Sequence, residues 1–570
     1  MDKFSVVVNG LGNVAVGCVQ HQGAREQQED SVGFTPVNGD PMDGFLAVVA
    51  DGMGGMASGA FVSGWTVRRM LEAEIGRSGE APEKELCEAA RRISGEIAAG
   101  GSRGGSTMAA VYLDSAGVHI CSVGDSRVYM QRGGVLTRLT EDGDYMSTLL
   151  DRVIGGELTF QQAAEDPERD SLTQFMGGGV NIQPDATRAP IRPESGDRLL
   201  ICSDGVYNAV NEQTLLQSLT LLQSLTLSAA AAAEDILGRV LAKGYANQDN
   251  LTAAVLEFRE ITHEPHADEP EASENSGGIA VKLRADCTYY TSAGGSDHNE
   301  DSVYCGRGIY AAADGLGGHS GGAAASQAAV NYIANAAKRS RGVLEVGMAE
   351  LFEGANTAVR KLGGGLTTIA AGALREGKFI LGNVGDSRVY YFRNGRVIAQ
   401  TRDHSVCQAA VELGQLTPEQ IRGSEDRVKL LKVLGNFDRL ELKRQPEQIP
   451  AMNGDAFLIC TDGFWEHVHE REMECDLVKS DSPTEWRDRM LKRLLLRTGN
   501  SGDNYTALCG FITDEPENPA PRKKPRRFVR FLISAAAALL MIGGLIAALV
   551  FLSGDSGAEE SSSSLADTIR

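Results

Sequence analysis

Four times along the chain an apolar run closes on an aspartate followed by a glycine: VVADG at 48–52, LLICSDG at 199–205, YAAADG at 310–315 and FLICTDG at 457–463. A short apolar run of this kind predicts a buried strand, and the glycine can take the positive φ of a tight turn. Each therefore predicts a carboxylate at a strand tip. One such pair marks a plain turn; two matched sets predict a shared purpose. VHICSVGDSRVYMQ (118–131) and GKFILGNVGDSRVYYF (377–392) read as strands that bend at Gly133-Gly134 and Asn394-Gly395 into a further short strand, as hairpins do. Helical composition fills 60–75, 83–98, 323–339 and 344–361. The expected class is α+β, with antiparallel sheets and helices laid outside them. The hexapeptide LLQSLT occurs twice in succession at 215–226. Six residues turn a helix by about 600°, so the second copy cannot extend one apolar stripe; it reads as a tolerated duplication.

Self-comparison shows one domain written twice. REQQED (25–30) answers SDHNED (296–301), and VADGMGG (49–55) answers AADGLGG (312–318). GSTMAAV (105–111) answers GLTTIAA (365–371), GDSR recurs at 124–127 and 385–388, and NQDNLTAAVLEF (247–258) answers SGDNYTALCGFI (501–512). The order never changes. The boundaries are domain 1 at 1–258, a solvated Pro-, Glu- and Gly-rich tether at 259–279 whose HEPH reads as part of the tether, and domain 2 at 280–513. A basic segment follows at 514–530, then 531–552 without a charge, then a Ser- and acid-rich tail at 553–570. As a helix, 531–552 would span about 33 Å, enough for a bilayer core. Arg522, Lys523, Lys524, Arg526, Arg527 and Arg530 precede it, which places both domains in the cytosol and the tail outside. Small residues at 543–548 allow helix pairing, so a homodimer is weakly indicated.

A net charge of -21 argues against a nucleic-acid partner, which requires a basic face. The ten cysteines are scattered without C-x-x-C pairs and read as buried thiols in a reducing compartment. No signal peptide is visible at the start. The chemistry resides in acidic residues recurring at equivalent places: Asp30, Asp51, Asp125, Asp204 and Asp249, then Asp301, Asp314, Asp386, Asp462 and Asp503. Gathered at strand tips, they would repel one another unless cations sat among them. Oxygen-only donors select Mg²⁺ or Mn²⁺, and two such ions can acidify a shared water and hold a phosphoryl oxygen.

R-x-x-x-E-D, DGMGG, G-S/T-T, GDSR, SDG and DN in this order resemble the metal-dependent Ser/Thr protein phosphatases, the PPM or type 2C-like family, across about 15–513. The resemblance implies two packed antiparallel sheets flanked by helices in each domain. It also implies hydrolysis of phosphoserine and phosphothreonine by a hydroxide bridging two ions, two per domain with a possible third. By the same resemblance Asp51 would bridge the ions, the Gly52 carbonyl would bind one, and Asp204 and Asp249 the other. Glu29 and Asp30 would order waters, Asp125 would serve a third ion, and Arg25 would bind phosphate, making Arg25, Glu29 and Asp51 the catalytic set. Residues 155–179 look like the family's flap. In domain 2, Asp301, Asp314, Gly315, Asp386, Asp462 and Asp503 match, but Ser296 replaces the arginine. Either that domain is slower, or it uses another cation, with His298 and His319 at hand, or it binds phosphoproteins and regulates. CSVGDSR at 121–127 also fits the C-x5-R loop of cysteine-dependent phosphatases, although Asp125 within it would repel phosphate. Phosphorylated proteins are the expected partners, a Ser/Thr kinase or its targets among them.

Overall fold

The computed structural model describes residues 2–53, 57–101, 104–220, 228–261, 282–316, 321–339, 347–442 and 446–515. The span 531–552, the tail, His319 and most of the tether lie outside these, as does the second LLQSLT from residue 221; the first sits on the helix Glu212–Thr220. Among the described residues no helix is long and apolar enough to cross a membrane.

Strand Gly44–Ala50 shows why the apolar runs are continuous. Phe45, Ala47 and Val49 point into one core and Leu46, Val48 and Ala50 into another, because successive side chains on a strand face opposite sides. The first core lies between two sheets. One runs, edge to edge, Asp2–Val8, Gly12–His21, Leu251–Ile261, Arg198–Cys202, Arg127–Arg132 and Val135–Arg138; the other runs Asp185–Ala186, Gly117–Val123, Met108–Asp114, Gly44–Ala50 and Ser31–Phe34. Every pairing within them is antiparallel. Helices Ala57–Leu71 and Pro82–Ala99 cover one outer face, and Glu212–Thr220 and Ala229–Leu241 the other. The second repeat builds the same four layers, with helices Gly321–Arg339 and Met348–Arg360 outside one sheet and Glu470–Leu477 and Pro483–Thr498 outside the other. The hairpin turns Gly133-Gly134 and Asn394-Gly395 all have positive φ, matching the twist of the strands they join.

Two local findings differ from the sequence reading. The last strand of domain 1 runs on to Ile261 and pairs with Gly12, so the tether starts later than composition suggests. Cys287 and Cys305 form a disulfide between strands of the two facing sheets of domain 2. Their spacing of 18 residues carries no motif, and only the sheet packing brings them together. The other eight cysteines are free.

The two domains are in contact. Helix Pro483–Thr498 and the residues before it, all of domain 2, lie on domain 1: Leu495 packs with Leu149, Leu150, Val153 and Ala163, and Cys475 enters the domain 1 sandwich core. Lys479, 1% exposed, donates to the Leu139 carbonyl (2.9 Å) and to the Asp185 carboxylate. Arg489 bonds Glu141 (3.1 Å) and Asp185 (2.9 Å), and Lys492 bonds Glu141 (2.7 Å). Burial opposes ionisation of Glu141 and Asp185, yet these cations hold both carboxyls below the ordinary range. Removing one member of such a set strands the other in a dry interface. Lys479→Ala is therefore expected to cost about 3 kcal/mol in equilibrium urea unfolding of the whole chain; a loss under about 1 kcal/mol contradicts that reading.

Candidate metal centre

Antiparallel order explains how distant carboxylates converge. Asp51 follows the last residue of Gly44–Ala50, and Asp30 precedes Ser31, which pairs with Ala50. Across the sandwich Asp204 lies just beyond Cys202, which pairs with Arg127 and Ala253. Asp125 and Asp249 therefore reach the same end from strands running the other way. Domain 2 repeats this: Ser302 pairs with Ala313, and Cys460 with Arg388 and Ala507, which brings Asp301, Asp314, Asp386, Asp462 and Asp503 to one end. Carboxylate oxygens of Asp314, Asp386 and Asp462 lie within 4.8 Å of one another.

The surrounding hydroxyls and amides hold these groups by their backbones and leave side-chain oxygens over. Thr107 Oγ1 accepts from the Asp51 amide (2.9 Å), while the Thr107 amide (2.8 Å) and Ser106 Oγ (2.9 Å) donate to the Asp51 carbonyl. Ser126 Oγ lies 2.6 Å from Thr107 Oγ1. Thr367, Thr368 and Ser387 do the same for Asp314. Asn250 accepts from the Glu29 amide (2.7 Å) and donates to the carbonyls of Gln22 and Gln27, and Asn504 serves Glu300 in the same way. Asp30 accepts from Ser203 and Thr252 on one oxygen only, as Asp301 does from Thr461 and Thr506. Sequence reading missed these positioning roles, although the recurrence of Ser106-Thr107 and Thr367-Thr368, and of Asn after Asp249 and Asp503, was their signal. Gly52 is required for another reason: a Cβ there would stand 2.4 Å from the Gly59 carbonyl and 2.7 Å from that of Glu29, and Gly315 meets the same crowding.

The donors fit a hard cation. Asp30 Oδ1, Asp204 Oδ1 and Glu29 Oε1 in domain 1, and Asp301 Oδ1 and Asp386 Oδ1 in domain 2, are buried without a hydrogen-bond partner. A buried carboxylate oxygen left so calls for a positive partner. Burial first, and the neighbouring carboxylates after it, push Asp30, Asp125 and Asp204 up to about 6 and Asp51 well above its ordinary value. In domain 2, Asp301 and Asp386 rise to about 7, and Asp314 and Asp462 well above.

Arg25 stands at the rim, exposed, and bonds Asp249 Oδ2 at 2.5 Å. Ser296 at its place bears no charge. Arg127 of GDSR has a structural role: it forks onto Asp142 (3.0 and 2.7 Å) and lies over the Tyr207 ring, as Arg388 does on Asp403 and over Trp465. Tyr207 OH donates to Asp125 Oδ2 (3.1 Å), whereas Trp465 reaches only the Asp386 carbonyl. The cysteine-phosphatase alternative ends here. Cys121 is fully buried, its hydrogen bond with Cys87 and that burial holding the thiol far up, while Arg127 is committed to Asp142. His298 is exposed, and its carbonyl accepts from Asn504.

The sequence profile described as Protein phosphatase 2C matches residues 19–242 and 296–495. The chain belongs to this family. Its two phosphatase 2C copies have named relatives. The serine/threonine protein phosphatase PstP of Mycobacterium tuberculosis is 31% identical over 180 residues, 30% of this chain and 34% of PstP, so the chain spans about a third of that relative's length. The serine/threonine phosphatase stp of Listeria welshimeri is 30% identical over 199 residues, 33% of this chain and 76% of that one. Among solved structures, PstP/Ppp of M. tuberculosis is 27% identical over 43% of this chain and 99% of its own, with a TM-score of 0.36. The PstP catalytic domain in complex with two manganese ions is 25% identical over 41% and 100%, with a TM-score of 0.35.

The raised carboxyls predict how pH and metal act together. Without metal, the folded chain holds these protons to about pH 6 to 7, against 3.8 for an ordinary aspartate. Their contribution thus favours folding below pH 4 and is lost as pH rises through 6 to 7. A divalent cation replaces the protons, so Mn²⁺ is expected to raise Tm more at about pH 7.5 than at about pH 5. Thermal melts with EDTA and with Mn²⁺ decide this; an equal shift at both pH values contradicts it.

Proposed function

We propose that the first copy hydrolyses phosphoserine and phosphothreonine in proteins, using Mg²⁺ or Mn²⁺. The observation that carries this is the cluster of buried carboxylates around Asp51 with oxygens left unpartnered, beside an exposed arginine. Asp51, the Gly52 carbonyl, Asp204 and Asp249 would hold two ions, Glu29 and Asp30 would order their waters, and Asp125 would hold a third. When bound, the ions supply an acidified water and a positive seat for phosphoryl oxygens. Arg25, released from Asp249, turns its planar fork to the phosphate, where two N–H groups match two oxygens. Its exposure gives it that freedom. Thr107 and Ser106 keep the Asp51 backbone in place, and Asn250 that of Glu29, while substrate exchanges.

The second copy keeps the aspartates but lacks the fork. Glu466, paired with Arg427 (3.0 Å), occupies the place of Asn208, which in the first copy donates to Asp204 (3.2 Å), so Asp462 lacks that donor. This favours weak turnover there, or a phosphoprotein-binding role without turnover. The charge-free span at 531–552 behind its basic collar would tether both copies to the cytosolic face of a membrane, where a Ser/Thr kinase or its targets are the natural substrates. Release of the chain from the membrane fraction on truncation at Glu515 checks that placement, and a full-length chain found only in the soluble fraction contradicts it.

In whole chains carrying Asp314→Asn, so that turnover reports the first copy, Asp51→Asn is expected to lower Mn²⁺-dependent release of phosphate from a phosphothreonine peptide by more than about a hundredfold. Arg25→Ala is expected to lower kcat/KM by about tenfold or more, chiefly through KM. In chains carrying Asp51→Asn, Ser296→Arg should raise whatever turnover the second copy has. Full activity in Asp51→Asn/Asp314→Asn would overturn the proposal.

A further inference from the structure

The repeats have diverged at one place that metal chemistry does not explain. Counted back from the paired Asp-Asn motifs, Arg489 and Lys492 of the second copy stand where the first has Asp235 and Gly238. Counted forward from GDSR, Glu141 of the first copy stands where the second has Arg402. The basic residues exist only on the second copy's helix Pro483–Thr498, and their acidic acceptor only on the first copy. In the folded chain they meet. Lys492 donates to Glu141 Oε1 (2.7 Å) and Ser147 Oγ (3.0 Å) and pairs with Asp151 (3.0 Å), while Arg489 reaches Glu141 and Asp185 and Arg493 the Arg138 carbonyl (3.0 Å).

What these cations hold leads into the first copy's site. Asp142, next to Glu141, is the carboxylate onto which Arg127 of GDSR forks. The amide of Gly143 donates to the carbonyl of Gly124 (2.8 Å), the residue before Asp125. The Gly143 carbonyl accepts from the amides of Thr173 (2.8 Å) and Gln174 (2.9 Å), on the returning limb of the flap. Asp144 caps the helix Tyr145–Ile154 that leads into the flap, and its Leu149, Leu150 and Val153 pack on Leu495 of the second copy. Segment 139–144 is thus gripped by the second copy on one side and supports Gly124-Asp125 and both roots of the flap on the other. A cavity of about 450 Å³, lined by Asp144, Phe160, Arg169 and Lys492 among others, lies between the outer flap and the gripping helix, beside the contact of Ala163 with Leu495. The polar hold is at the roots.

We propose that Arg489 and Lys492 of the second copy are positioning residues for the first copy's active site: through Glu141 they brace segment 139–144, and with it the flap and Asp125, so that the second copy works as an in-cis activator whatever its own turnover. The activity arm rests on the phosphatase reading above, and a second readout does not. In whole chains carrying Asp314→Asn, Arg489→Ala/Lys492→Ala is expected to raise KM for a phosphothreonine peptide and lower kcat/KM about tenfold. Amide hydrogen exchange of 145–178 in the metal-free chain should speed up several-fold. Glu141→Gln, made from the other side, should do the same, and the charge-conserving Arg489→Lys/Lys492→Arg should keep both near the parent values. Unchanged exchange over 145–178 in the double alanine variant, or faster exchange with unchanged KM, overturns the brace. A parent silent with Mn²⁺ overturns the phosphatase reading, while the exchange arm still decides whether the brace exists.

Discussion

Repulsion between carboxylates that the fold buries together is the constraint around which each copy is built. Five aspartates from distant parts of a repeat reach one end of a sandwich because antiparallel strands bring the end of one beside the start of the next. Asp249 and Asp503 stand toward solvent, but around Asp51 and Asp314 water is mostly excluded, so the like charges there are poorly screened. Ser106, Thr107 and Asn250 spend their hydrogen bonds on backbone groups, Ser126 on the Thr107 hydroxyl, and Ser203 and Thr252 on one oxygen of Asp30. Oxygens remain over, aimed where cations would neutralise the cluster. In such a centre the charged carboxylates are disfavoured until a cation binds, which joins stability and chemistry in one place.

Much of this was legible in the sequence. Continuous apolar runs ending in Asp-Gly announced buried strands with carboxylates at their tips, and both faces of those strands proved covered. The order of the repeated motifs separated a tandem duplication from chance turns. What could not be read was the role of residues whose partners lie far off in sequence. Asn250 acts on a loop more than 220 residues away, and nothing local marks it beyond its place after Asp249. Arg127 closes a formal C-x5-R run that Asp125 already disfavoured, and its structural role shows only in its fork on Asp142. The disulfide of Cys287 with Cys305 and the contact between copies depend on sheet packing and domain placement, which periodicity does not encode.

The duplication also separates the two kinds of residue a repeat must keep. Positions that gather the aspartates recur with the same partners in both copies, down to the Thr-Ser hydroxyl pair behind Asp51 and Asp314. Other positions differ between the copies: Arg25 against Ser296, Asn208 against Glu466, Tyr207 against Trp465. The face of Pro483–Thr498 has drifted toward positive charge, and Glu141 and Asp185 meet it. One copy thereby presents an exposed arginine beside its aspartates, and the other presents a helix that packs on the first copy.

The central claim concerns cations among carboxylates, and a crystal of the chain grown with Mn²⁺ tests it most directly through the anomalous signal of the metal. The account predicts two peaks in the first copy, between Asp51, the Gly52 carbonyl, Asp204 and Asp249, with Arg25 withdrawn from Asp249. Aspartates in the places described here with no peak among them, in crystals whose Mn²⁺ is bound only elsewhere, would contradict it.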